Sequence, residues 1–167
     1  ACANDAIRQE AARNAEYQHM GTTLVCAVAR SDMAIIGNIG DSRAYHITPE
    51  GIFQISRDHS VVENMVAKGD LTPLEARTHP NRNLITRALG PDIHAKADTF
   101  ELPWHKDEFL LLCSDGLVNT VSDQEMLFEV LHDGDVNECL DHLLQISLQR
   151  GAPDNITAVL LLNEEGR

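Results

Sequence analysis

The spacing of apolar positions changes several times along this chain, and each change predicts an element. Ala3, Ile7, Ala11 and Ala15 fall at steps of four within an alanine-rich stretch, which predicts a helix over 3–19 that Gly21 ends. From Thr22 onward the runs shorten: 22–29, 33–39, 44–47 and 52–55 read as strands separated by Ser-Asp, Gly-Asp-Ser-Arg and Pro-Glu-Gly turns. Together they predict a meander of antiparallel hairpins.

Between 56 and 90 the chain turns polar and marks the starts of two short helices. Ser60-Val61-Val62-Glu63 fits a capping box that Gly69 closes, and Thr72-Pro73-Leu74-Glu75 repeats the box with proline at the first helical position. A polar, interrupted insertion of this kind is a candidate mobile flap. Strands follow over 95–102 and 108–114. Phe109-Leu110-Leu111-Leu112-Cys113 is apolar without alternation, which implies burial on both faces. Ser122 with Glu125 caps a further helix, and a second over 136–150 sets Leu140, Leu143, Leu144 and Leu148 on one face before Gly151. The run over 156–162 supplies a last strand. Strands and amphipathic helices in this order suit an α+β fold.

Composition narrows the function classes. Lys and Arg number 13 against 26 Asp and Glu, a net charge of −13, which argues against a nucleic-acid partner and suits cations or basic peptide segments. The chain is 43% hydrophobic, yet no run approaches the ~20 apolar residues that cross a bilayer. With no signal-peptide pattern, a cytoplasmic setting is expected. Cys2, Cys26, Cys113 and Cys139 have no C-x-x-C spacing, so reduced thiols are expected, with Cys26 and Cys113 acting as small hydrophobes in strands. The eight histidines are scattered, which disfavours zinc.

Three aspartates carry the candidate chemistry. Asp41 in IIGNIGDSR, Asp115 in FLLLCSDGL and Asp154 in GAPDNITAVLLL each lie where an apolar run surfaces or begins. Taken singly, each is also ordinary turn chemistry. If their strands share one core, the carboxylates converge as hard oxygen ligands for Mg²⁺ or Mn²⁺.

The flanks of these aspartates resemble the metal-dependent protein phosphatases, the PPM or type 2C serine/threonine phosphatases, especially their bacterial branch. HMGTTLVCAV, NIGDSRAY, the stretch from Ile55 to Gly90, FLLLCSDGL and APDNITAVLL occur in the family's order. The sporulation-type branch largely lacks the flap that 56–90 matches. The resemblance implies an α-β-β-α sandwich of two antiparallel sheets flanked by helices. It also implies a single domain over 1–167 with a flap subdomain at about 56–90, and hydrolysis of phosphoserine or phosphothreonine by metal-activated water. Asp115 and Asp154 match ligands of one paired metal, and Asp41 with Asp115 matches a third site. Gly116 allows close backbone approach, and Asn155 is implied as a partner that orients Asp154. Arg82 and Asn83 match flap positions facing the metals.

The same resemblance implies elements not found in these residues: a phosphate-gripping arginine, a general-acid histidine and an Asp-Gly motif bridging two metals, all expected upstream. The sandwich is therefore expected to be incomplete at its N-terminus, with uncovered sheet surface that invites self-association. Little or no activity is expected of the 167 residues by themselves. The implied partners are phosphorylated proteins, with a serine/threonine kinase acting in opposition. The alternative is a catalytically inactive phosphatase-like module that binds a phosphoprotein or a kinase. A metal sensor, a generic acidic binder of Mg²⁺ or Ca²⁺, is a further class, disfavoured because no EF-hand loop is present.

Overall fold

The computed structural model describes residues 2–132 and 135–164, so the ends of the expected 1–167 domain lie outside the described residues. The chain divides into two compact units. Unit 1 comprises the chain up to Leu24, Asn38–Asp41 and Arg57–Asp98; unit 2 comprises Val25–Gly37, Ser42–Ser56 and the chain from Thr99 onward.

Unit 2 carries two sheets, whose strand-end residues Leu24, Asn38, Ile39 and Asp98 are counted in unit 1. Strands β1 (Leu24–Ala29), β2 (Met33–Ile39) and β5 (Asp98–Pro103) form a three-stranded sheet in the order β1-β2-β5. Strands β3 (Arg43–Thr48), β4 (Gly51–Gln54), β6 (Phe109–Cys113) and β7 (Ala158–Leu162) form a four-stranded antiparallel sheet in the order β4-β3-β6-β7. Its register pairs Arg43 with Cys113 and Cys113 with Ala158.

The unbroken apolar run of β6 is explained by what covers each face. Leu110 joins Ala34, Ile36, Ala44, Leu102 and Trp104 in a core between the two sheets. On the opposite face, Leu111 and Cys113 join Tyr45, Ile47 and Leu160 of the same sheet against helices that follow β6. Those helices are α4 (Asp115–Val118), α5 (Asp123–His132) and α6 (Val136–Gln149), which contribute Leu117, Met126, Val130, Cys139 and Leu143. Burying a leucine side chain such as Leu111, which is fully covered, stabilises the fold by about 1.5–3 kcal/mol.

Three local expectations are corrected here. In α6 the buried residues are Cys139, Leu143 and Ser147, while Leu148, from the expected apolar face, is 52% exposed and Leu144 is also exposed. Ser147 is tolerated inside because its hydroxyl donates to the Leu143 carbonyl and accepts from the Thr120 hydroxyl. Cys113 is a core thiol as expected, but Cys26 is exposed on β1. The first helix, α1 (Cys2–Arg13), stops well before Gly21. Asn14 takes an extended conformation, and its side chain accepts from the Glu16 N–H, capping a separate 3-10 turn over Ala15–Tyr17.

Unit 1 contains α1 and two capped helices, α2 (Val61–Lys68) and α3 (Pro73–Thr78). The Ser60 hydroxyl accepts from the Glu63 N–H, and Gly69 closes α2 in the left-handed conformation at φ 82°. Thr72 and Glu75 complete a reciprocal capping box on α3. Of the expected stripe, Ile7 and Ala11 are half-buried while Ala3 and Ala15 are exposed, and the most buried residue of α1 is polar. Asn4 is buried, its amide donating to the carbonyls of Asp92 and Ile93 and accepting from the Gly90 N–H at 2.7 Å. Arg8, one turn on, donates to the carbonyls of Gly90 and Pro91.

No helix among the described residues is long and apolar enough to cross a membrane. Val28, 62% exposed, with Met33 and Ile35 forms an apolar exposed patch on β1 and β2.

Candidate metal centre

In unit 2 the segments that carry Asp115 and Asp154 meet at one end of the four-stranded sheet. Strand β6 leaves the sheet at Ser114, and Asp115 opens the short helix α4. An acidic residue is favoured in a first helical turn, which gives Asp115 a structural reason to be there in addition to any chemistry. Strand β7 enters the sheet opposite, its Ala158 paired with Cys113.

Ser114 stitches the two segments together. Its N–H donates to the Thr157 carbonyl at 2.9 Å, and its hydroxyl accepts from the Thr157 N–H at 3.0 Å. The same hydroxyl donates to the Asn155 carbonyl at 3.3 Å. Gly116 makes the approach possible: a Cβ there would lie 2.3 Å from the Asn155 carbonyl oxygen. The Asp154 carboxylate accepts from the backbone N–H of Asn155 at 2.7 Å, a main-chain contact. Asp115 is half-buried, whereas Asp154 and Asn155 are exposed.

Asp41, Arg82 and Asn83 belong to unit 1. Asp41 follows Gly40 in the turn between β2 and β3, where Gly40 has φ 107° and a Cβ would meet the Thr23 methyl at 2.3 Å. Arg82 and Asn83 are exposed in a turn whose Arg82 N–H donates to the His79 carbonyl. One residue escaped the sequence reading: His59, counted there among scattered histidines, is buried and bonded to Gly40. Its signal was position, since it lies between the end of a polar loop and the capping residue Ser60.

The side chains carried by these two adjoining segments are carboxylates, hard oxygen donors of the type that Mg²⁺ and Mn²⁺ take. Among the described residues no group of three or more His, Cys, Asp or Glu side chains is gathered to hold a metal. Mg²⁺ sites commonly use one or two carboxylates and keep several waters, so a carboxylate pair is a workable partial site.

Comparison with known proteins places these features. A family model described as protein phosphatase 2C matches residues 1–160. The chain is 36% identical over 151 residues to the serine/threonine phosphatase stp of Listeria monocytogenes, covering 89% of this chain and 60% of the relative. The crystal structure of serine/threonine phosphatase Stp1 from Staphylococcus aureus superposes with a TM-score of 0.90 at 41% identity, over 98% of this chain and 64% of the other. The catalytic domain of PstP, solved in complex with two manganese ions, matches with a TM-score of 0.84 at 32% identity, over 94% of this chain and 65% of the other. The chain thus spans somewhat under two thirds of each of these proteins. The likeness bears out the expected α+β sandwich of two antiparallel sheets with helices.

Proposed function

Because the chain belongs to the protein phosphatase 2C family, we propose that its protein is a metal-dependent serine/threonine phosphatase acting on phosphorylated proteins. The observation that carries this reading is the Ser114 stitch, which holds Asp115 and Asp154 on adjoining turns at one sheet end. Asp115 and Asp154 are the residues that hold Mg²⁺ or Mn²⁺, and Asp41 is a further ligand. The chemistry that such cations supply when bound is activation of water and neutralisation of charge on the phosphoryl oxygens. The chain's own part is to keep the carboxylates oriented and close to a rigid backbone. Gly116 supports this by letting the two turns touch, and Ser114 and the Asn155 N–H fix the turn that carries Asp154. Arg82 and Asn83, exposed on the flap segment, are the substrate-side positions. A serine/threonine kinase is the opposing activity, and the exposed Val28, Met33 and Ile35 surface is a candidate for self-association.

Turnover of a phosphothreonine peptide tests the proposal, measured with Mn²⁺ on the chain together with whatever sequence flanks it in its native protein. Asp115→Asn and Asp154→Asn are each expected to lower kcat/KM at least about 100-fold while the fold is retained, a loss on the scale of removing a group that stabilises the transition state. The isolated 167 residues are expected to turn over little or none. Undiminished turnover in both variants would contradict the assignment. Phosphoprotein binding without turnover in the flanked protein would instead identify an inactive recognition module.

A further inference from the structure

The turn that carries Asp41 is held from behind by a buried histidine for which the proposed chemistry has no role. His59 is 5% exposed. Its Nδ1 accepts from the Gly40 N–H at 3.1 Å, and its own backbone N–H donates to the Gly40 carbonyl at 2.8 Å. Both polar groups of Gly40 are therefore tied to one residue. The Gly40 carbonyl lies in the peptide plane that includes the Asp41 nitrogen, so fixing that oxygen fixes the direction in which Asp41 leaves the turn. Asn38 supports the turn from another side, its amide donating to the carbonyls of Arg57 and, at 3.5 Å, Gly40.

The tautomer of His59 follows from these contacts. Nδ1 accepts a backbone N–H and so carries no proton, which places the ring proton on Nε2. Nε2 then donates to Asp98 Oδ2 at 3.0 Å. Arg87 lies 3.2 Å from Nε2 but finds its acceptor in Asp98 Oδ1 at 3.0 Å. The His59 hydrogen bond, helped by the charge and hydrogen bond of Arg87, holds the Asp98 carboxyl below the usual carboxylate range. Asp98 thus stays an acceptor and locks the ring in the orientation that Gly40 requires.

We propose that His59 is a positioning residue for the Asp41 metal ligand, oriented by Asp98 and Arg87 and acting through the two backbone groups of Gly40. This rests on the reading of Asp41 as a ligand. Groups that orient a metal ligand from outside the coordination shell typically cost about 10–100-fold in metal affinity when they are removed.

The test combines hydrogen exchange at the Gly40 amide with Mn²⁺ titration followed by the signal of free Mn²⁺. It compares the native-length protein with Asp41→Asn, His59→Ala, His59→Asn, His59→Gln and the double variant Asp41→Asn/His59→Ala. Asparagine places an acceptor where Nδ1 stands, whereas glutamine places its polar end near Nε2. His59→Asn is therefore expected to keep the Gly40 amide protected and Mn²⁺ affinity within about threefold, while His59→Ala and His59→Gln expose the amide and weaken binding about tenfold or more. In the double variant, loss of His59 is expected to add nothing to loss of Asp41. If Asp41→Asn weakens Mn²⁺ binding but all three His59 variants bind as the parent does, the positioning role is wrong and the ligand reading stands. If Asp41→Asn itself changes nothing, the ligand reading falls and takes the positioning role with it. Unaltered Gly40 protection in His59→Ala would also overturn the proposal, whatever the metal does.

Discussion

The two units hold themselves together by different means. In unit 2, strand β6 is covered on both faces by apolar side chains, and Leu110 and Leu111 are fully buried. In unit 1 the long segment 57–98 leaves Leu74 77% and Ile93 67% exposed and is tied instead by polar contacts: Asn4 to Gly90, His59 to Gly40, and isolated bridges of Thr22 with Leu89 and Ser60 with Ile85. An apolar core resists opening because every residue in it loses contacts at once. A set of separate hydrogen bonds opens one tie at a time, so the segment 57–98 belongs at the low-stability end of the molecule.

The largest expected effect comes from cutting into the apolar unit. Leu111→Ala is expected to destabilise the protein by about 2–5 kcal/mol, read by chemical denaturation, because the sheet and helices around it relax only partly into the space left behind. Asn4→Ala comes next at about 1–3 kcal/mol, since it strands the buried Gly90 N–H. Hydrogen exchange should then quicken at Gly90 and through 57–98 while β6 amides remain protected. Equal quickening in β6 would show that the units do not open separately. Thr72→Ala removes the α3 cap at a cost of about 1 kcal/mol, with faster exchange confined to α3.

The smallest effect concerns a surface tie in unit 2. Arg150 grips Glu125 with bonds of 2.6 and 2.9 Å, and Ser122 adds backbone and hydroxyl donors; together they hold the Glu125 carboxyl well below its ordinary value near 4.5. A depressed carboxylate contributes stability that is complete above the ordinary value and fades as pH falls through the lowered one. Glu125→Gln is therefore expected to be slightly less stable than the parent near neutrality, the pair being exposed. The gap should close in strong acid, as thermal melts across pH would read. A gap that widens in acid would contradict the sign.

Where contacts are local, the sequence was informative. The boxes at Thr72 and Ser122 and the glycine after α2 were readable because each cap bonds within a few residues. The absence of alternation over Phe109–Cys113 announced two covered faces because the strand period maps directly onto the two sides of a sheet. Long-range polar contacts gave no such signal. Asn4 resembles any surface position on a helix until Gly90, 86 residues away, is seen against it. His59 resembles a loop histidine until the Gly40 turn is in place. Helix α6 misled for a related reason: Leu144 and Leu148 stay exposed, and Ser147 takes an interior position through its own hydrogen bonds. The Asp-Gly of Asp115 was legible as the end of a strand but not as the start of α4, since a hairpin turn and a helical first turn share that dipeptide.

The central claim is that Asp115 and Asp154 together hold a divalent cation. Anomalous scattering from crystals of the native-length protein grown with Mn²⁺ addresses it directly. A manganese peak bonded to both carboxylates, lost in Asp154→Asn crystals, is the predicted result. A well-ordered sheet end with the Ser114 contacts intact and no manganese at either carboxylate would contradict it.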